Sequence, residues 1–399
     1  MVQIRGFRAL RPMPKEAAQI AALPYDVYSR EEARREIESH PLSFLRIDLP
    51  EAMMAPKEAY GDRNRRARRE LDAMVAEGHF YREEVPGLYI YELEREGRRQ
   101  KGLVCLASVA EYENGTIRRH EKTRRKKEAD RVDHIRALNA QTGPIFLAYL
   151  ERDEIRRRID EESARPPEIE FTTDDKVVHR IWSLRDSDTV TAIENLFRAV
   201  PSMYIADGHH RCAAAARVAA ETEKENAGFL AILFSHRDLQ VYDYNRVVAD
   251  LGGLSERAFF EKLGAHFAVI EAEGPLRPAQ KATFGMYTGG RWYRLEFTGQ
   301  MPRDPVAALD VSLLQDNVLG PILGIDDPRT SERIDFVGGV RGMEALERRV
   351  DAGMAVAFSL YPTALEELMD VADAGCVMPP KSTWFEPKPR SGLFIHELR

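Results

Sequence analysis

The sequence predicts an α+β fold with mixed β-sheets and flanking helices, and three observations carry that expectation. Gly87 to Glu94 and Lys101 to Tyr112 read as two strands joined by a charged turn around Gly97, a hairpin with a longer loop. Ala59 to Glu77 and the alanine-rich run Cys212 to Glu221 read as helices, because alanine forfeits no side-chain entropy in a helix. From Ser255 onward a smaller α+β portion follows, with one helix and several strands.

The 399 residues suffice for two or three compact units or one large elaborated domain, and an apolar content of 44% can bury a core. The expected division is an N-terminal α+β region over 1–165, a phosphate-binding core region over 166–252 and a C-terminal α+β region over 253–399, packed as one unit. Glu151 to Pro167, charged and ending in Pro166-Pro167, marks the first boundary. A net charge of −7 argues against a general nucleic-acid coat protein. Three well-separated cysteines, Cys105, Cys212 and Cys376, fit a reducing compartment without a disulfide scaffold. No run of eighteen apolar residues occurs, so the expectation is a cytoplasmic chain with no membrane association.

In chain order, Val2 to Leu10 alternates weakly as a strand. Leu23-Pro24-Tyr25-Asp26-Val27 is a proline-stiffened extended segment, and Ser29 is placed to cap a helix over Glu31 to Ser39. Asp26 fits either a functional carboxylate or a turn residue. Leu42 to Leu49 reads as a short strand. In the helix from Ala59, Tyr60, Leu71, Met74 and Val75 supply the apolar contacts and Gly78 the C-cap. Asn114-Gly115 signals a turn, with Thr116 to Arg119 continuing the meander.

The densest charge follows, from Arg118 to Lys127. It lacks the interleaved aromatics of a single-strand-binding patch, and a zinc-binding HExxH is ruled out by Arg124. A loop entering a helix is the third reading, with Thr123 as N-cap and Val132, Ile135 and Leu138 as the buried face. His120 and Glu121 then sit in a positive field that keeps the Glu121 carboxylate ionised, as a general base or a Mg²⁺ ligand requires. A solvated basic face with one incidental glutamate stays open beside it.

Ile145 to Leu150 is an apolar strand, Ile169 to Thr173 and Lys176 to Leu184 a hairpin, and Ala192 to Ala199 a helix. Tyr204 to Arg211 then forms a strand end, a glycine turn and a helix start. Gly208 in the turn aims backbone N–H groups and the positive helix end at one point, and Arg211 adds a fork of donors for phosphate oxygens. His209 and His210 are adjacent, so they suit two separate contacts better than chelation of one metal. Beyond lie strands at Phe229 to Phe234 and Val241 to Val248, a helix from Ser255 to Leu263, strands near Phe267 to Ile270, Phe284 to Tyr287 and Arg291 to Phe297 with a turn at Gly289-Gly290, a helix from Asp310 to Leu319, and a strand from Ala355 to Leu360. Lys381-Ser382-Thr383 superficially echoes a P-loop ending, but the required glycines are missing. These residues fit either a phosphate contact or a structural loop. Neither a dinucleotide-binding GxGxxG after a strand nor a GxSxG elbow occurs.

Leu23 to Val27, His120-Glu121-Lys122-Thr123 with Asp130-Arg131, Tyr204 to Arg211 and Pro379 to Thr383 together resemble, in order, the signatures of the domain-of-unknown-function 1015 family over essentially the whole chain. Locally, Asp207-Gly208-His209-His210-Arg211 with its alanine-rich helix is similar to the phosphate-binding motif of ParB/sulfiredoxin-like proteins, the free serine kinases carrying the closest form. That resemblance implies a ParB/sulfiredoxin-like core, a nucleotide held by the motif, a carboxylate base acting on a serine hydroxyl, and Mg²⁺. Cys212 follows Arg211 instead of preceding the motif, which disfavours a sulfinic-acid reductase. No helix-turn-helix domain of the chromosome-partitioning members is evident, so nucleic acid is disfavoured as a partner. The motif also lies past residue 200, unlike that of the small kinases, so the base is nominated by chemistry and not by position.

The expected function is phosphoryl transfer between ATP or ADP and a small hydroxy amino acid, free L-serine or O-phosphoserine, in either direction. Glu121, Asp207 and His210 are its catalytic candidates, with Asp207 also the metal candidate. Gly208, His209, His210, Arg211, Lys381, Ser382 and Thr383 are assigned to the nucleotide phosphates, and Asp26, His120, Thr123 and Arg131 to the substrate. The alternative is a CTP- or ATP-gated switch of ParB type.

Overall fold

Phe229 to Phe234 is an unbroken apolar run, and every residue of its strand, Gly228–Ser235, is buried, as expected of a strand covered on both faces. It sits inside a nine-stranded mixed sheet. In chain order the strands are β1 (Ile4–Arg5), β2 (Leu88–Arg95), β3 (Arg98–Ser108), β4 (Ile117–Arg118), β5 (Ile145–Tyr149), β6 (Ile169–Thr172), β7 (Val178–Leu184), β8 (Met203–Asp207) and β9 (Gly228–Ser235). Across the sheet the order is β4-β8-β5-β9-β3-β2-β7-β6, with β1 paired to β3. The pairs β4/β8 and β5/β9 are parallel and the others antiparallel. The fold is therefore α+β, as the sequence predicts. The computed structural model describes residues 1–54, 60–221 and 227–398.

The chain divides into two compact units, Met1–Leu239 with Pro387–Arg399, and Gln240–Glu386. The 165/166 position, expected as a boundary, falls inside the first unit, where a helix over Asp153–Glu162 leads by way of Pro166-Pro167 into β6 of the same sheet. Four helices of this unit matter below: α1 (Arg30–Ser39), α2 (Arg63–Ala76), α3 (Arg125–Leu138) and α4 (His209–Glu221). Val132 and Ile135 of α3 and Cys212, Ala214, Ala215 and Val218 of α4 pack in one core with alternate residues of β2, β3, β5, β8 and β9. The alanines let α4 approach closely. A second core joins α1, α2, Phe44, Leu45 and Ile47 to Leu138 and Ile395.

In the second unit, six antiparallel strands run in the order Phe267–Ala272, Arg291–Phe297, Thr283–Thr288, Val356–Leu360, Tyr244–Val248 and Ile334–Gly338. The Gly289-Gly290 hairpin forms as expected, both glycines at positive φ.

Several local expectations need correction. Leu42 to Leu49 is not a strand: Leu45–Asp48 is a helical turn, and its apolar run buries Phe44, Leu45 and Ile47 against helices, with Phe44 N–H donating to the Ile20 carbonyl. Tyr25–Val27 is a 3₁₀ turn within the segment read as extended. β3 ends at Ser108, and Val109–Glu113 is helical. Thr123 is not the N-cap of α3; Arg124 is, and the Thr123 hydroxyl donates to Glu128 Oε2 at 3.1 Å. Ile117–Arg118 pairs in parallel with β8 and does not extend the hairpin. Ala59, the expected start of α2, lies outside the described residues.

Candidate functional site

The site gathers around the end of β8. Asp207 closes the strand, Gly208 turns the backbone at φ +97°, and α4 begins at His209. That φ is left-handed and favours glycine. A Cβ on Gly208 would also stand 3.1 Å from Arg211 Nε, so the turn and the guanidinium need each other's shape. Cys212 N–H donates to the Gly208 carbonyl at 2.9 Å, the first bond of the helix.

Asp207 is held between two cations. Lys388 Nζ donates to Oδ2 at 2.8 Å, and Arg211 Nη2 lies 3.7 Å from Oδ1. Burial pushes the Asp207 carboxyl up, but Lys388 and Arg211 outweigh it and hold it well below the usual carboxylate range. Lys388 arrives from the last segment of the chain, fastened by reciprocal Leu10–Ile395 backbone bonds of 3.0 Å and by His396–Glu397 pairing with Ala140–Gln141.

Two histidines stand beside this pair. His120 and His209 meet edge to face, ring centroids 4.5 Å apart. Burial pushes His120 down to about 4, and burial followed by the neighbouring His120 pushes His209 down as well, so both are neutral. Glu121 Oε2 lies 3.7 Å from His209 Nδ1 with its side chain about half exposed. His210 points elsewhere: its Nε2 accepts the Arg124 N–H at 3.0 Å, which ties the start of α3 to the first turn of α4 and leaves the ring proton on Nδ1. Burial, then Lys127, lowers its pKa too.

Beneath Arg211 a partly open cavity of about 30 Å³ is lined by Tyr25, Asp48, Arg131, His134, Thr142 and Arg211 among others. The Arg131 guanidinium stacks over Tyr25 at 4.0 Å, a cation–π contact, and two of its nitrogens donate to Asp130 Oδ2 at 3.0 and 2.6 Å. Asp48 accepts from the Thr142 hydroxyl at 2.6 Å and lies 3.5 Å from His134. Burial raises the Asp48 carboxyl, but His134, Thr142 and Arg131 together bring it below its ordinary value. Burial pushes Tyr25 up to about 12, so its hydroxyl stays protonated.

The first unit thus brings together residues far apart in sequence: His120 and Glu121, Arg131, and Asp207 through Arg211. Asp26 is exposed on its 3₁₀ turn and acts electrostatically on His210 and Arg211. Thr123 is engaged by Glu128. Lys381, Ser382 and Thr383 belong to the second unit, where Lys381 Nζ stands over the Tyr244 ring at 5.2 Å and the Ser382 hydroxyl donates to the Pro379 carbonyl at 2.7 Å. Lys388, Asp48, His134 and Thr142 were not among the expected site residues. For Lys388 the setting between Pro387 and Pro389 was the one available signal.

A Mg²⁺ site built on Asp207 does not fit this arrangement, because Lys388 takes one oxygen and Arg211 faces the other. Among the described residues no three His, Cys, Asp or Glu side chains group to hold a metal. Nor is any helix among them long and apolar enough to cross a membrane.

The model of the family described as "Protein of unknown function (DUF1015)" matches residues 4–312. No curated protein matches the sequence. Among solved structures, a free serine kinase in complex with AMP is similar at 12% identity and a TM-score of 0.40, covering 74% of this chain and 92% of that one. SbnI from Staphylococcus aureus, truncated at its C-terminus, is similar at 12% identity and a TM-score of 0.41, covering 74% and 87%. A conserved hypothetical protein from Pyrococcus furiosus is similar at 13% identity and a TM-score of 0.37, covering 72% and 93%. These likenesses are distant, and what the site can do rests on its own residues.

Proposed function

The chain belongs to the DUF1015 family, and we propose that it is a phosphotransferase moving a phosphoryl group between a nucleotide and a small hydroxy amino acid, free L-serine or O-phosphoserine. The observation that carries this reading is the approach of Glu121 to the glycine turn, 3.7 Å from His209 at the start of α4. An anion-binding helix end and a half-exposed carboxylate side by side are the two parts such a transfer needs.

The N–H groups of Gly208 and the first turn of α4, with Arg211, hold the nucleotide phosphates. Asp207 fixes Arg211 and Lys388 in place. The substrate hydroxyl oxygen attacks the terminal phosphorus, the bond to the bridging oxygen breaks, the nucleotide leaves one phosphate shorter, and the hydroxyl proton passes to Glu121. Neutral His120 and His209 line the approach without adding charge. Run backwards, the same steps make serine from phosphoserine. Mg²⁺ belongs to the co-substrate, as the Mg²⁺–nucleotide.

The test is turnover by the full chain with Mg²⁺, from serine with ATP or ADP and from phosphoserine with ADP, AMP or phosphate. Absence of product in every combination, from a folded sample, would refute the proposal. Tight CTP or ATP binding without product would favour a nucleotide-gated switch instead. Glu121→Gln is expected to lower kcat by about 10²–10⁴ with nucleotide affinity within about threefold; equal loss of binding would remove Glu121 as the base.

A further inference from the structure

We propose that the cavity beneath Arg211 is the pocket for the carboxylate group of the amino-acid substrate, an inference that rests on the phosphotransfer reading. Two guanidiniums, Arg131 and Arg211, and one carboxylate, Asp48, line its walls. Beyond the walls, Asp130 faces Arg131 and Arg63, Asp207 faces Arg211 and Lys388, and Asp26 also acts on Arg211. Asp48, the remaining buried carboxylate, faces a neutral imidazole: burial, then Arg131, lowers the His134 pKa. A carboxylate entering between Arg131 and Arg211 would meet two guanidiniums beside the one carboxylate already there.

Unused hydrogen-bonding capacity lies at the same place. His134 is 3% exposed; its Nε2 faces Asp48 Oδ1 at 3.5 Å and its Nδ1 has no hydrogen-bond partner among the described residues. Among the described residues Arg131 Nη1 makes one long contact, 3.4 Å to the Asp48 backbone carbonyl. A guanidinium fork matches the two oxygens of a carboxylate.

The size of the cavity fits such a group. A cavity of about 30 Å³ holds roughly two water-sized groups. That accommodates the two oxygens of a carboxylate. The nucleotide then stays at the helix end and the amino acid reaches down past Arg211, which touches both. This arrangement makes the enzyme specific for a hydroxy compound that carries a carboxylate.

The experiment compares L-serine with ethanolamine, and phosphoserine with phosphoethanolamine, as substrates and as ligands of the wild-type full chain by calorimetry. Arg131→Lys, which keeps the charge but loses the fork, is run beside it, with nucleotide affinity measured in parallel. The expected result is a kcat/KM for serine at least about 100-fold above ethanolamine, shrinking to within about tenfold in Arg131→Lys through KM. Equal kcat/KM for serine and ethanolamine in the wild type would overturn the pocket while leaving phosphotransfer standing. If nothing turns over but L-serine binds wild type and not Arg131→Lys, the pocket stands and the phosphotransfer reading falls. If L-serine and ethanolamine bind equally or not at all, the cavity holds water only and the inference is wrong.

Discussion

Replacing Lys388 with methionine keeps the length of the side chain and removes the charge that faces Asp207. The pair is 2.8 Å long, with the lysine side chain a tenth exposed and the aspartate a quarter exposed. Deleting one partner of a buried pair costs about 3–5 kcal/mol, because the other charge stays behind. Here Arg211, 3.7 Å from the other oxygen, still faces Asp207, and solvent reaches part of the carboxylate. The expected loss is therefore about 2–3 kcal/mol. Urea unfolding of wild type, Lys388→Met, Asp207→Asn and the double variant isolates the coupling. In the Asp207→Asn background the lysine deletion should cost less by at least about 1 kcal/mol. The sign with pH follows from the lowered carboxyl of Asp207: its contribution is present above the ordinary value of 3.8 and is lost as pH falls through the lower folded value. The gap between wild type and Lys388→Met should therefore narrow only below about pH 4. A cost under about 0.5 kcal/mol, or the same cost with and without the Asp207 carboxylate, would refute the coupling.

Gly208→Ala is expected to destabilise by about 1–3 kcal/mol, since φ is +97° and the new Cβ meets the Arg211 guanidinium; calorimetric nucleotide titration should show at least about tenfold weaker binding. Acid should weaken the first unit well before Asp207 titrates. His120 falls from 6.5 to about 4 through burial, so its share of stability is complete above about pH 6.5 and about 2 kcal/mol is lost by pH 5, with His209 adding in the same direction. Urea midpoints that do not change between pH 7 and pH 5 would contradict this. Ser29→Ala should cost about 1 kcal/mol, because the Ser29 hydroxyl accepts from Glu32 N–H at 3.2 Å and Glu32 returns the bond to Ser29 N–H at 2.8 Å; an unchanged urea midpoint would show the capping box to be idle.

What the sequence revealed was local. Ser29, three residues before Glu32, writes its own cap, and the strand, Gly208 and alanine run that end β8 and open α4 lie within one stretch. Leu42 to Leu49 failed because a short apolar run fits a buried helical turn as well as a strand, and only the helices packed on Phe44 decide between them. Thr123 had the right chemistry for a cap, yet the helix begins one residue later with Arg124 at the cap, and the Thr123 hydroxyl donates to Glu128. The parallel pairing of Ile117–Arg118 with Met203–Tyr204 joins segments with no local signature of each other. Among the site residues, Glu121 was chosen for its charge and setting, and its contact with His209 depends on how α3 and α4 start. Lys388 was missed for the same reason: its partner is far away in the chain, and nothing in Glu386-Pro387-Lys388-Pro389 names it.

The return of residues 387–398 to the first unit also fixes an order of assembly. The ribosome delivers chains from the N-terminus, and domains tend to fold as they emerge. The whole of Gln240–Glu386 must be synthesised before Lys388 exists. Until then Asp207 has Arg211 as its cationic neighbour without the lysine, and Leu10 and Gln141 lack the strand partners that the tail supplies. A nascent chain stalled anywhere before residue 387 would carry the glycine turn and Glu121 yet hold an unfinished site, so the returning segment acts as the latch that completes it.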